Sequence, residues 1–194
     1  MDELRPLVAA AKGGDRAAVR ALLMVVAPVV ARAARRVMGR ANPDAEDVAQ
    51  QALAAFADRL STFREESTVV HFAQRIAVYR AMTARRDGRA RQRVAAQADE
   101  AETLNVAAAG PSLDGALVER DRRELLLEAL EALPPPQAEA LALHFLFDHT
   151  VPEIAGMIGV PAETVRSRLR LGKQALRARI VSDPRLAALL EEGP

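Results

Sequence analysis

The chain has 194 residues, half of them hydrophobic and 27% charged, and its 27 basic and 26 acidic side chains leave a formal charge of only +1. That is room for one ordinary core or two small ones, and the lack of any cysteine excludes disulfide frameworks, cysteine-ligated zinc and thiol nucleophiles. Five Phe, one Tyr and no Trp are a thin supply for a sandwich or barrel, while abundant Ala, Leu and Arg favour helix, so an all-α fold is expected. The longest charge-free run near the N-terminus, Ala21 to Ala31, is about half the roughly 20 residues of a membrane span. The acidic start Met1-Asp2-Glu3 is also unlike a signal peptide. A cytoplasmic chain with no membrane insertion of its own is expected.

Leu4 to Ala11 reads as a short helix stopped by Gly13-Gly14. Asp15 is an N-cap for a long helix through Val37, which Pro28 should kink or split. After a turn at 39–43, Asp44 opens a helix whose apolar positions Val48, Ala52, Phe56 and Leu60 recur every four residues. Ser61 to Thr68 reads as a loop, and a fourth helix carries Val69, Phe72, Ile76 and Tyr79 on one side. From Asp87 to Leu117 the apolar periodicity weakens, so a flexible linker is expected there. Leu117 to Leu133 is again helical, and Pro134-Pro135-Pro136 ends it and starts the next segment. Helices follow at Gln137 to Phe147, Val151 to Ile158 and Pro161 to Ile180. The expected organisation is a helical domain at 1–87, a linker at 88–117, a second helical domain at 118–182 and a tail at 183–194, with a short amphipathic helix through Leu186, Leu189 and Leu190.

Charge is segregated along this chain. Arg80 to Arg93 holds six arginines against one acid, Asp87, and Pro161 to Ile180 holds five arginines and a lysine against one acid, Glu163. Two such runs, each closing a helical segment, point to a polyanion such as nucleic acid. The second run follows a helix-turn-helix pattern. Ala155 supplies a small residue where two steeply crossing helices touch, Gly159 tolerates positive φ at their turn, and Ile154, Ile158 and Val165 form a buried wedge. In the second of those helices Val165, Leu169, Leu176 and Ile180 form an inward stripe. Arg166, Arg170, Lys173 and Arg177 form a row on another face, with Thr164, Ser167 and Arg168 as donors suited to base edges and phosphates.

Two blocks carry a family resemblance. Asp44-Ala-Glu-Asp-Val-Ala-Gln-Gln51, continuing through Phe56, Phe63 to Ser67 and Phe72 to Arg80, is similar to sigma region 2. Leu130 to Leu141, followed by the helix-turn-helix, is similar to sigma region 4. Together they resemble an extracytoplasmic-function (group IV) sigma factor of bacterial RNA polymerase. The resemblance implies a non-enzymatic promoter-specificity subunit whose partners are core RNA polymerase, promoter DNA and an anti-sigma factor, with no cofactor. It assigns polymerase contacts to Asp44, Asp47, Gln50 and Gln51, and to Leu143, Phe145 and Leu146. Minus-ten binding and strand opening fall to Phe63, Ser67, Phe72, Arg75, Tyr79, Arg80 and Arg85. Minus-thirty-five recognition falls to Glu163, Thr164, Arg166, Ser167, Arg168, Arg170 and Lys173. Phe72 stands where the family usually has a tryptophan, and Tyr79 where a small polar residue is frequent. From the residues themselves, Asp44 is equally an N-cap, and Phe63 and Phe72 are equally core.

Two other readings remain open at this level: a stand-alone helix-turn-helix regulator, and a degenerate sigma that serves as an anti-sigma decoy. The three histidines, His71, His144 and His149, are scattered and lack clustered carboxylates, so no metal site is expected. No nucleophile, acid pair or phosphate loop is evident, so the chain is not expected to be an enzyme.

Overall fold

The computed structural model describes residues 3–39, 42–99 and 115–185, with the side chains of 97–99 and 115–121 excepted. Described residues are mostly helical, with short turns and loops between helices and no strand among them. The described residues hold eight α-helices, in order α1 Arg5–Lys12, α2 Arg16–Met38, α3 Ala45–Arg59, α4 Val69–Asp99, α5 Gly115–Glu131, α6 Pro135–Leu141, α7 Val151–Ile158 and α8 Ala162–Ser182. A 3-10 turn, Leu60–Thr62, follows α3, and a π-helical turn, Ala142–Leu146, follows α6.

The first half is a bundle of α2, α3 and α4 with α1 laid against α2. Asp15 caps α2 as expected, its side chain accepting from the amides of Ala17 and Ala18. Pro28 does not split that helix. It is exposed, and Met24, the residue whose carbonyl loses its donor, also faces solvent, so water can satisfy the orphaned group. An 18-residue window of α2 has a mean hydropathy of 1.8, long and apolar enough to cross a membrane by composition alone. The short charge-free run therefore understated it. Leu22, Val26, Val30, Ala34 and Val37 form its buried stripe at the centre of the bundle.

Asp44 occupies the N-cap position of α3 without capping it. Its side chain makes no cap bond, and its own amide donates to Asn42 Oδ1. The fourth helix runs on to Asp99, beyond the expected start of the linker at 88. Residues 100–114 and 186–194, with the central linker and the tail helix assigned to them, lie outside the described residues. Tyr79 is not on the inward side of α4: Val69, Ala73, Ile76, Ala77 and Val78 are buried, and Tyr79 is 46% exposed.

In the second half, Pro135 opens α6 directly after the proline turn. α8 crosses α6 closely at Gly172, where an added Cβ would meet Leu141 Cδ1 at 2.8 Å. The helix expected from Gln137 to Phe147 changes character after Leu141, and the π-helical turn swings Phe145 outward to 54% exposure. Buried apolar residues of both halves join in a single cluster. Each fully buried Leu, Val or Phe in it contributes about 1.5–3 kcal/mol.

Candidate nucleic-acid interface

The helix-turn-helix forms from local rules. Thr150 caps α7 in a capping box, accepting from the Glu153 amide while the Glu153 carboxylate accepts from the Thr150 amide at 2.8 Å. Gly159 ends α7 in the left-handed region, φ 72°, with its amide on Ala155 O, and Pro161 sets the entry to α8. Ile154 and Val165 are fully buried and Ile158 partly so. The inward stripe of α8 holds at Val165 and Leu169, while Leu176 and Ile180 are half-buried.

On the opposite face, Arg166, Arg170, Lys173 and Arg177 are all exposed. They line an open groove of about 610 Å³ whose other wall includes His144 and Val151. Glu163 pairs with Arg166 at 2.8 Å, an exposed bridge of little energetic weight. Lys173 Nζ lies 5.2 Å from the centroid of the Phe145 ring. Thr164, Ser167 and Arg168 are half-buried on the flanks of the row.

The other assigned residues divide three ways. Asp44, Asp47, Gln50 and Gln51 are all exposed along the start of α3. Tyr79 and Arg80 are exposed on α4, with Ser67 half-buried at its entrance. Others point inward. Phe63 is 6% exposed and stacks on Phe72 with centroids 4.8 Å apart, and Phe72 tilts against Phe56, so both rings are packing residues in this arrangement. Leu143 and Leu146 are buried, which leaves Phe145 as the accessible member of that trio.

Arg75 and Arg85 are occupied. Arg75 Nε donates to Glu139 Oε1 at 2.9 Å and its Nη1 to Met157 O at 3.2 Å. Arg85 is only 8% exposed and bonds Glu131, with Glu124 on its other edge. Burial would lower the Arg85 pKa, but its bonds to Glu124 and Glu131 and their charges outweigh that and raise it. Arg89 joins the same acids and reaches Glu128 at 2.9 Å, while Arg86 donates to Glu131 O at 3.2 Å. Arg85 and Arg89 of α4 are thus held by Glu124, Glu128 and Glu131 from the second half, and Arg75, nearer the start of the helix, by Glu139. Sequence reasoning missed these partners, although Glu124, Glu128 and Glu131 recur at spacings of four and three on one face of α5.

Comparison with known proteins accounts for this arrangement of two helical units. Residues 22–91 match the family model "Sigma-70 region 2" and residues 123–176 match "Sigma-70, region 4". Across 93% of its length the chain is 32% identical to the ECF RNA polymerase sigma factor SigD of Mycobacterium tuberculosis, covering 85% of that protein. The chain belongs to the extracytoplasmic-function sigma factors. This sigma factor has the same 32% identity, over the same share of each chain, to SigD of Mycobacterium bovis. Its fold matches that of CnrH, solved in complex with the cytosolic domain of CnrY, at a TM-score of 0.54 and 22% identity over 94% of this chain and 99% of that one. The family is one of transcription factors without catalytic activity of their own, and in this member the region 2 match falls on α2–α4 and the region 4 match on α5–α8.

Proposed function

We propose that this sigma factor directs promoter-specific initiation in the bacterial cytoplasm by binding core RNA polymerase and reading two promoter elements. The observation that carries the reading is the exposed row Arg166, Arg170, Lys173 and Arg177 on the helix that follows the Gly159 turn. An α-helix with such a face fits the major groove, with Thr164, Ser167 and Arg168 beside the row as base or phosphate donors. The exposed edge of Asp44, Asp47, Gln50 and Gln51 serves as the polymerase contact, with Phe145 as a second, apolar contact. Tyr79 and Arg80 offer an exposed ring and cation to the minus-ten strand, where unstacking a base costs a few kcal/mol that stacking offsets. Arg75 and Arg85 reach phosphate once region 4 moves away from α4. An anti-sigma protein completes the set of partners.

Run-off transcription from a library of genomic fragments, with purified core polymerase and with or without this chain, tests the reading. Discrete new start sites are expected. Asp47→Lys should abolish them while α8 still binds DNA. A chain that binds no core polymerase would return the stand-alone regulator, and core binding without transcripts would favour the decoy.

A further inference from the structure

Two of the three histidines, 78 positions apart in the chain (His71 and His149), meet across the junction of regions 2 and 4. Their rings lie 4.8 Å apart, edge to face. Glu153, in the first turn of α7, completes a group in which one ligand atom from each of the three residues lies within 4.8 Å of the others. Ligands of a tetrahedral zinc ion lie roughly 3.3 Å apart for bonds of about 2.0–2.1 Å, so modest side-chain rotation closes the group around an ion.

The surroundings suit a ligand set. His149 Nε2 is 3.0 Å from Gln74 Oε1, a carbonyl acceptor that places the ring proton on Nε2 and leaves the Nδ1 lone pair. Its backbone is fixed as well: the His149 amide donates to Leu143 O, and His144 Nδ1 donates to His149 O at 2.8 Å. The Thr150 amide and hydroxyl both donate to Glu153 Oε2. His71 Nδ1 or Nε2, His149 and a carboxylate oxygen make an N₂O set, the donor chemistry of zinc and neighbouring divalent transition ions rather than of magnesium or calcium.

We propose that His71, His149 and Glu153 form a divalent transition-metal site, of zinc type, that cross-links region 2 to region 4 and holds the sigma factor closed. Its ligands come from α4 on one side (His71) and, on the other, from the segment just before α7 (His149) and the first turn of α7 (Glu153). The Gly156 backbone lies against Glu66 at the same junction, where an added Cβ would meet Glu66 O at 2.3 Å. In the closed form Arg75 and Arg85 are held by glutamates, so an occupied site withholds them from DNA. That last consequence rests on the proposed promoter function, whereas the site and the clamp do not.

The full chain is titrated with zinc by calorimetry and with cobalt(II), whose visible absorption reports a four-coordinate site. One equivalent is expected to bind. His71→Ala and Glu153→Gln should each weaken binding by about tenfold or more, and Gln at position 153 keeps the capping box. No uptake by the wild type, or uptake unchanged in both variants, overturns the site. Because the chain has no cysteine, spin labels at Asp58→Cys and Ala178→Cys report the distance between regions. Zinc should narrow that distance distribution, and should not do so with Glu153→Gln. An unchanged distribution with zinc bound overturns the clamp. In run-off transcription zinc should lower transcript yield for the wild type and spare Glu153→Gln. Transcripts insensitive to bound zinc overturn the regulatory consequence, while absent transcripts without zinc count against the promoter function itself.

Discussion

Gly156 and Gly159 stand three residues apart in one helix-turn-helix and are required for different reasons. Gly159 has φ 72°, a left-handed conformation in which a Cβ crowds the following carbonyl, while the space around it is open, with Glu66 Oε2 the nearest group at 3.7 Å. Gly156 is helical, and a side chain there would strike the backbone oxygen of Glu66, which cannot rotate away. The two alanine variants should therefore separate. Gly159→Ala should cost about 1–2 kcal/mol in chemical denaturation with the regions still in contact. Gly156→Ala should leave both helical units folded and push them apart, read as a larger radius of gyration in small-angle X-ray scattering.

Among the elements, α8 owes its two faces to simple periodicity. Val165 and Leu169 seat it on the rest of region 4, Gly172 lets it approach α6, and the basic row is left to solvent. Packing on one face fixes where the backbone of the basic row lies, while its side chains stay exposed. Arg166→Ala and Arg168→Ala should each weaken promoter binding by about 1–3 kcal/mol if the side chain reads a base. A phosphate contact would instead lower the slope of log affinity against log salt by about one. Equilibrium binding across a salt series distinguishes these outcomes, and loss of neither affinity nor slope would remove the residue from the interface.

Charge as well as apolar contact joins the two halves of the described chain. Arg75, Arg85 and Arg89 of α4 face Glu124, Glu128, Glu131 and Glu139 of region 4. Removing one partner of the buried Arg85–Glu131 pair would leave the other with a single counter-charge, Glu124 for Arg85 or Arg89 for Glu131. Glu124 is half exposed and gives a milder handle. Burial alone would raise its pKa, but the bond and charge of Arg85, with Arg89, bring it below the usual 4.5. A carboxylate whose pKa is depressed on closing favours the closed form above about pH 4.5, and that contribution is lost as pH falls through the depressed value. Wild type and Glu124→Gln should thus differ in interdomain distance at neutral pH and converge on acidification, as read by the same spin-label pair.

Much of this protein follows from its sequence alone because the signals are local. The Asp15 cap, the Gly159 turn, the proline start of α6 and the apolar spacing of α3 each depend on residues a few positions apart, and each forms as read. So does the exposed basic row of α8. What only the tertiary structure decided involves residues far apart in the chain. Tyr79 faces out because the packing of α2 and α3 on α4 selects Val78 and Ala77 instead. Phe63 and Phe72 stack on each other, Arg75 and Arg85 meet glutamates, and His71 meets His149, all through contacts that no helical period encodes. Helical periodicity tells which side of an element is apolar. Which distant charge or ring lies opposite is set by how the elements pack, and here that packing determines which cations are exposed in the closed form.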